Sequence, residues 1–246
     1  MEVNNLKNQL KNISQSGWIP TYRSNSTGAV GHTLEYSLGI AENNLQIADC
    51  GDYELKAQNV RLEARTLTTL VHCEPMPVGT VKWLLANFGW AHESRVGEQS
   101  FRQTININGT DRGFVVSVND DRVNVNFNEE FIAQTHWQWK SQIIQKTYKY
   151  AVPYWEHDTL RSKLQNKLKN TVHATAVSKT INGIEHFKYV DYVLYEGFDY
   201  DLFLQQINEG NVYVDFDART KHNHGTKFRI KPNCIGNLYK HQEQII

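Results

Sequence analysis

Cysteine is scarce in this chain: Cys50, Cys73 and Cys234 are the only three among 246 residues. An odd, widely spaced set excludes a disulfide framework and fits a reducing compartment. It also lacks the short paired spacing of a zinc site. Proline is scarce too, at five, and the fifteen glycines are scattered. That excludes collagen-like and linker-like classes. No apolar run approaches the roughly 20 residues that a membrane-crossing helix needs. The opening MEVNNLKNQLKNISQ is polar and contains an acid, unlike a signal peptide. The expectation is a cytoplasmic protein with no membrane partner. Net charge is missing as well, since 26 Lys+Arg balance 26 Asp+Glu. A neutral total argues against a nucleic-acid partner only if the charges are evenly mixed.

They are not evenly mixed. Residues 132–188 hold nine Lys/Arg against three acids, a net of +6. Residues 189–217 hold seven acids and no Lys or Arg. Residues 218–246 hold six Lys/Arg against one acid, a net of +5. Two basic segments are therefore available for phosphates, and the neutral total implies limited non-specific affinity.

Hydrophobic residues make up 40% and charged residues 21%, ordinary values for a folded chain with a sizeable core. The length allows one large domain or two lobes. With no fixed-period repeat and no low-complexity linker, one chain of two lobes is the economical reading. Leu6, Leu10 and Ile13 at helical spacing predict an amphipathic helix over 4–13. A second helix is predicted over 28–38, capped by Ser26 or Thr27 and ended by Gly39. Gly31, Leu34 and Leu38 share one of its faces. Short strands are predicted over 45–48 and 52–58, around a turn at Cys50-Gly51. A helix over 80–88 and strands over 104–108, 113–119 and 122–127 follow. Further helices are predicted over 137–148, 158–169 and 198–207. Strands are predicted over 172–179, 187–195 and 211–216. Mixed elements of this kind give an α/β or α+β class.

The most informative segment is Ile47-Ala48-Asp49-Cys50-Gly51-Asp52-Tyr53-Glu54-Leu55-Lys56. Alternation on a strand puts Glu54 and Lys56 on one face, with Tyr53 and Leu55 on the other. Asp49 lies just upstream, and Asp52 alternates with Glu54 and could face the same pocket. Two carboxylates supply hard oxygens for Mg²⁺, and Mn²⁺ is a possible substitute. A divalent ion there offsets phosphate charge and lowers the pKa of a bound water. Lys56 can stabilise charge growing on phosphate oxygens. That set of groups suits phosphodiester hydrolysis. The competing reading is an ordinary exposed salt bridge, worth about 0–1 kcal/mol.

The surrounding pattern is Gly28-x-x-Gly31-x-x-Leu34-Glu35-x-x-Leu38-Gly39, then Asp49, then Tyr53-Glu54-Leu55-Lys56. It resembles the nucleases with an Asp…(Asp/Glu)-x-Lys active site, specifically MvaI/BcnI-type restriction endonucleases and their MutH-type relatives in mismatch repair. The Asp49-to-Glu54 interval is shorter than in MutH and resembles that of the restriction enzymes. The resemblance implies a restriction-endonuclease-like PD-(D/E)xK fold, with a mixed central sheet flanked by helices and two lobes around a DNA cleft. A catalytic lobe would centre on 28–130, and a DNA-recognition lobe would include parts of 132–246. Glu35, on the helix before the catalytic strands, matches a glutamate aimed at the metal site. Asp49, Glu54 and Lys56 match the catalytic set, with Asp49 and Glu54 as metal ligands.

A second motif runs from Asp215 to Lys231 and contains Arg219, Lys221, His222, Asn223, His224, Lys227, Arg229 and Lys231. Arg can bond guanine bidentately, Asn and His can reach base edges, and Lys suits phosphates. A similar H-x-H-G-T-x-F-R stretch lies on the DNA-facing side of the restriction relatives. The alternatives are a solvated loop or a His222/His224 zinc pair, which lacks a third ligand at suitable spacing. Lys163, Lys167 and Asn170 can form one helix face, either solvated or turned to a phosphate backbone. Trp137, Trp139 and Trp155 read as core residues rather than base-stacking ones.

The resemblance further implies a monomeric Mg²⁺-dependent enzyme that nicks each strand of double-stranded DNA in turn. The implied site is a short CC-x-GG-like sequence, and a cognate DNA methyltransferase is the expected functional partner. Two other readings stay open: a mismatch-repair nicking enzyme, which leaves only nicked circles, and a DNA-binding module that never cuts.

Overall fold

A computed structural model describes residues 2–23, 28–40, 51–60, 67–144 and 152–246. The chain begins with α1 (Val3–Gln15), β1 (Ile19–Pro20), α2 (Ala29–Ser37), β2 (Tyr53–Asn59), β3 (Thr68–His72) and α3 (Thr80–Phe88). It continues with β4 (Trp90–Ala91), β5 (Gln99–Ile105), β6 (Arg112–Val118), β7 (Arg122–Ile132), α4 (Trp137–Ile144) and β8 (Tyr154–Glu156). Next come α5 (His157–Leu168), β9 (Asn170–Ile181), β10 (Ile184–Phe198), α6 (Tyr200–Asn208) and β11 (Val212–Arg219). The last strands are β12 (His222–Asn223), β13 (Lys227–Ile230) and β14 (Tyr239–Gln244). The class is mixed α/β.

Two compact units emerge. The first comprises Met1–Thr68, Leu164–Tyr200 and Lys231–Ile246, and the second Thr69–Lys163 and Asp201–Ile230. The stretch 69–130 thus packs with 201–230 rather than with 28–68.

In the first unit, β2 runs parallel to β9, β9 pairs antiparallel with β10, and β1 and β14 both pair with β10. The β9–β10 hairpin closes through Asn182-Gly183, both at positive φ. That two-residue loop matches the right-handed twist of its strands. One face of the sheet carries Leu55, Val172, Ala174 and Ala176, which join Leu6, Leu10 and Ile13 of α1 and Val30 and Leu34 of α2 in one buried cluster. The spacing of those α1 residues predicted this. The Tyr189 hydroxyl also donates to Val30 O at 2.6 Å and ties α2 to β10.

The end of α2 is sharply defined. Gly39 sits at φ +70°, its N–H donates to Tyr36 O, and Ile40 N–H donates to Glu35 O. This is a Schellman closure, so the predicted stop at Gly39 is observed together with its cause. The capping positions Ser26 and Thr27 lie outside the described residues.

The second unit holds a sheet ordered β3-β13-β11-β5-β4, with β12 on β11, and a sheet ordered β6-β7-β8. Its core is aromatic: Phe88, Phe101, Phe114 and Phe216 meet edge to face. Trp139 and Trp155 are buried as expected, their indole N–H groups donating to Phe88 O and Cys73 O. Trp137 is exposed. The strand expected at 104–108 instead spans Gln99–Ile105, and Asn106 turns away to bond Gly210 O through its side chain. The strand predicted over 45–48 lies outside the described residues, and so does the predicted helix beyond residue 144. Among the described residues no helix is long and apolar enough to cross a membrane.

Candidate active site

Glu54 and Lys56 face the same side of β2, opposite the buried Leu55, as alternation requires. Glu54 is almost fully enclosed, with 2% of its side chain exposed. Burying a carboxylate this deeply costs several kcal/mol unless cations replace its water. Two do. Lys56 Nζ donates to Glu54 Oε1, and Lys167 Nζ lies 3.1 Å from the same oxygen. Both lysines are largely enclosed, at 15% and 18% exposed. The triad carries a net +1.

The second lysine arrives by topology. Lys167 is in the last turn of α5, which leads into β9, and β9 pairs with β2 with Glu54 opposite Thr171 and Lys56 opposite His173. Sequence reasoning placed Lys167 on a phosphate-facing or solvated helix face. No spacing signal reveals its contact with Glu54, because the parallel pairing of β2 with β9 spans more than a hundred residues.

The neighbours on β9 complete the surroundings. Thr171 shares a 2.6 Å hydrogen bond with the Tyr239 hydroxyl at the start of β14. Burial pushes the Tyr239 phenol well above its usual range; the bond to Thr171 opposes this and nearby Glu54 adds to it. His173 is buried beside Lys56, and burial pushes its pKa down to about 4, with Asp191 opposing the shift and Lys56 adding to it. The ring is therefore neutral at physiological pH, so no third positive charge joins the lysine pair.

Glu35 lies on α2, its carboxylate 3.6 Å from His32 Nδ1. Its carbonyl takes the Schellman bond, so the backbone at Glu35 is pinned at the C-terminal end of α2. Asp49 lies outside the described residues. Asp52 precedes β2 and pairs with Lys169 at 3.0 Å, with both side chains mostly exposed. Among the described residues no group of three or more His, Cys, Asp or Glu could hold a metal ion. At this position the described residues offer one carboxylate, Glu54, paired with two lysine ammonium groups.

The second motif occupies the interior strands β11 and β13 of the larger sheet in the other unit, with the short β12 between them in sequence. Arg219 ends β11 and donates to Glu98 at 2.8 Å; Arg229 on β13 donates to Asp215 at 3.2 Å. Lys221 is 75% exposed and 3.9 Å from Glu98. His222, Asn223 and His224 form an exposed tip with the two imidazoles edge to face, 4.1 Å between centroids. Asn223 Oδ1 accepts from Gly225 N–H, and Glu74 accepts from Thr226 N–H, which fixes the base of the tip. Lys227 lies opposite Asp215 on the β11–β13 ladder. Lys231 follows β13 and belongs to the first unit. The motif thus divides into two arginines held by carboxylates and a protruding Lys221–His224 segment.

Comparison with known proteins bears on both sites. The MvaI/BcnI restriction endonuclease family matches residues 7–239. The solved structure described as a restriction endonuclease MvaI–cognate DNA substrate complex is similar over 100% of both chains, with 25% identity and a TM-score of 0.79. The structure of MvaI in the absence of DNA is similar over the same extent, with 24% identity and a TM-score of 0.56. No curated protein matches the sequence.

Proposed function

Since the chain belongs to the MvaI/BcnI restriction endonuclease family and is a site-specific DNA nuclease, we propose that it is a monomeric, Mg²⁺-dependent type II enzyme of the PD-(D/E)xK kind. The substrate is double-stranded DNA carrying a short CC-x-GG-like site, and the products carry 5′-phosphate and 3′-hydroxyl ends. The observation that carries this reading is the buried Glu54 carboxylate with Lys56 on the same strand face.

Glu54 and Asp49 would hold the divalent cation, which when bound offsets phosphate charge and activates water. Lys56 donates to a non-bridging phosphate oxygen as charge grows on it, an effect worth about 10²–10³ in rate for one well-placed donor. Glu35 is assigned to the same site from its place at the pinned end of α2. The first unit serves as the catalytic lobe and the second as the recognition lobe. Lys221, His222, Asn223 and His224 reach for the DNA, while Lys227 and Lys231 take phosphates. Arg219 and Arg229, aligned by Glu98 and Asp215, complete that surface. A cognate methyltransferase protects the host site, and both proteins act in the cytoplasm.

The direct test is Asp49→Ala. This variant is expected to shift DNA fragments in a binding assay with wild-type affinity and to leave plasmid uncut in Mg²⁺. Wild-type cleavage by Asp49→Ala contradicts the assignment.

A further inference from the structure

Thr226, at the base of the Lys221–His224 tip, has its polar groups claimed by the two residues that follow β3. Its N–H donates to Glu74 Oε1 at 2.8 Å and its hydroxyl to Glu74 Oε2 at 3.2 Å. Its carbonyl accepts from Cys73 N–H at 2.9 Å. We propose, resting on the reading that this tip faces DNA, that Glu74 is a positioning residue for base readout. Its carboxylate fixes the β13 side of the tip, and so sets how sharply the enzyme separates its own site from sites one base pair away.

The path from Glu74 to the imidazoles is short. On the β11 side the tip is already anchored: His222 and Asn223 pair with Arg219 and Ala218, and His224 N–H donates to Asp217 O at 2.9 Å. On the β13 side the anchor is Thr226. Only Gly225 lies between the two anchors, at φ +82°. A glycine takes whatever backbone angles its flanks impose, so releasing Thr226 releases Gly225 and with it His224. The loop also lies directly on the residues that hold it. A Cβ at Gly225 would stand 3.3 Å from His72 Nδ1 and 3.4 Å from Glu74 Oε1.

The division of burial is informative. Thr226 is 1% exposed, whereas Glu74 is an exposed residue. A carboxylate is acceptor-only, and here two oxygens meet two donors of one residue, a fork that fixes direction as well as distance. The side chain thus continues the β3–β13 pairing beyond the end of β3, where the backbone ladder stops. Hydrogen bonds to base edges tolerate only a few tenths of an ångström, so a tip that reads bases must be held before DNA arrives.

The test compares wild type, Glu74→Ala, Glu74→Gln and a His222→Ala/His224→Ala double variant in the full chain. Each is given, with Mg²⁺, the duplex that wild type cuts and duplexes with one base pair of that site changed. The readout is the ratio of kcat/KM between them. Glu74→Ala is expected to lower this ratio about tenfold. Glu74→Gln keeps an acceptor for the Thr226 N–H and should retain most of it. A merely stabilising glutamate would slow all duplexes alike and leave the ratio unchanged. The ratio does not depend on the folded fraction, so a destabilised variant still reports. Amide exchange of Thr226, followed by NMR, should also accelerate about tenfold in Glu74→Ala. An unchanged ratio or unchanged exchange in Glu74→Ala, or a ratio lost equally in Glu74→Gln, overturns the proposal. The reading beneath it fails in a different way. If the double histidine variant keeps the wild-type ratio, the tip does not read bases, and the role of Glu74 falls with it.

Discussion

At the scale of single residues, the site depends on how charge is compensated around one enclosed carboxylate. Among the described residues two lysines pair with Glu54, and one of them, Lys56, shares its strand face. Replacing Lys56 with Ala leaves Lys167 to balance Glu54, so the fold should survive while cleavage falls at least about 10²-fold. Thermal melting alongside a plasmid assay checks both halves. His173 gives a pH signature. The unfolded chain takes up this proton near pH 6.5, and the folded chain only near pH 4. Stability is therefore unaffected by this group above about pH 6.5 and is lost as pH drops towards 4. The loss reaches about 3 kcal/mol. His173→Gln should flatten the urea-unfolding profile across that interval, and an unchanged slope would show that the ring is not held neutral by burial.

At the scale of elements, the strand carrying Glu54 and the helix carrying Glu35 are the two parts that must be fixed. The chain stop at Gly39 was readable because only glycine sits easily at φ +70°, and the Schellman bonds follow from it. Gly39→Ala should cost about 1–2 kcal/mol by placing a Cβ in the left-handed region. Cleavage should fall with it, because the bond to the Glu35 carbonyl loosens; a differential scan with a parallel activity assay tests this. The pattern of Leu6, Leu10 and Ile13, and the alternation around Glu54 and Lys56, were equally legible, since each rests on local periodicity. The contact of Lys167 with Glu54 was not. It needs the parallel pairing of β2 with β9, an arrangement between distant segments that no local period encodes. The fates of Arg219 and Arg229 were hidden for the same reason: their partners Glu98 and Asp215 are set by strand register.

At the scale of the whole molecule, a neutral total conceals blocks of opposite sign. The two basic blocks predict DNA binding that weakens as salt rises, and Lys221→Ala should reduce the slope of log K against log salt by about one. Binding that ignores salt would contradict this distribution of charge. The central claim is that Glu54 anchors site-specific cleavage of double-stranded DNA. Its most direct measurement is to incubate supercoiled plasmid and Mg²⁺ with wild type and with Glu54→Gln, then sequence every end produced. The account predicts linear fragments from wild type whose ends all fall within one short CC-x-GG-like sequence, and uncut plasmid from Glu54→Gln. Ends at scattered sequences, nicked circles alone, or equal cutting by Glu54→Gln would contradict it.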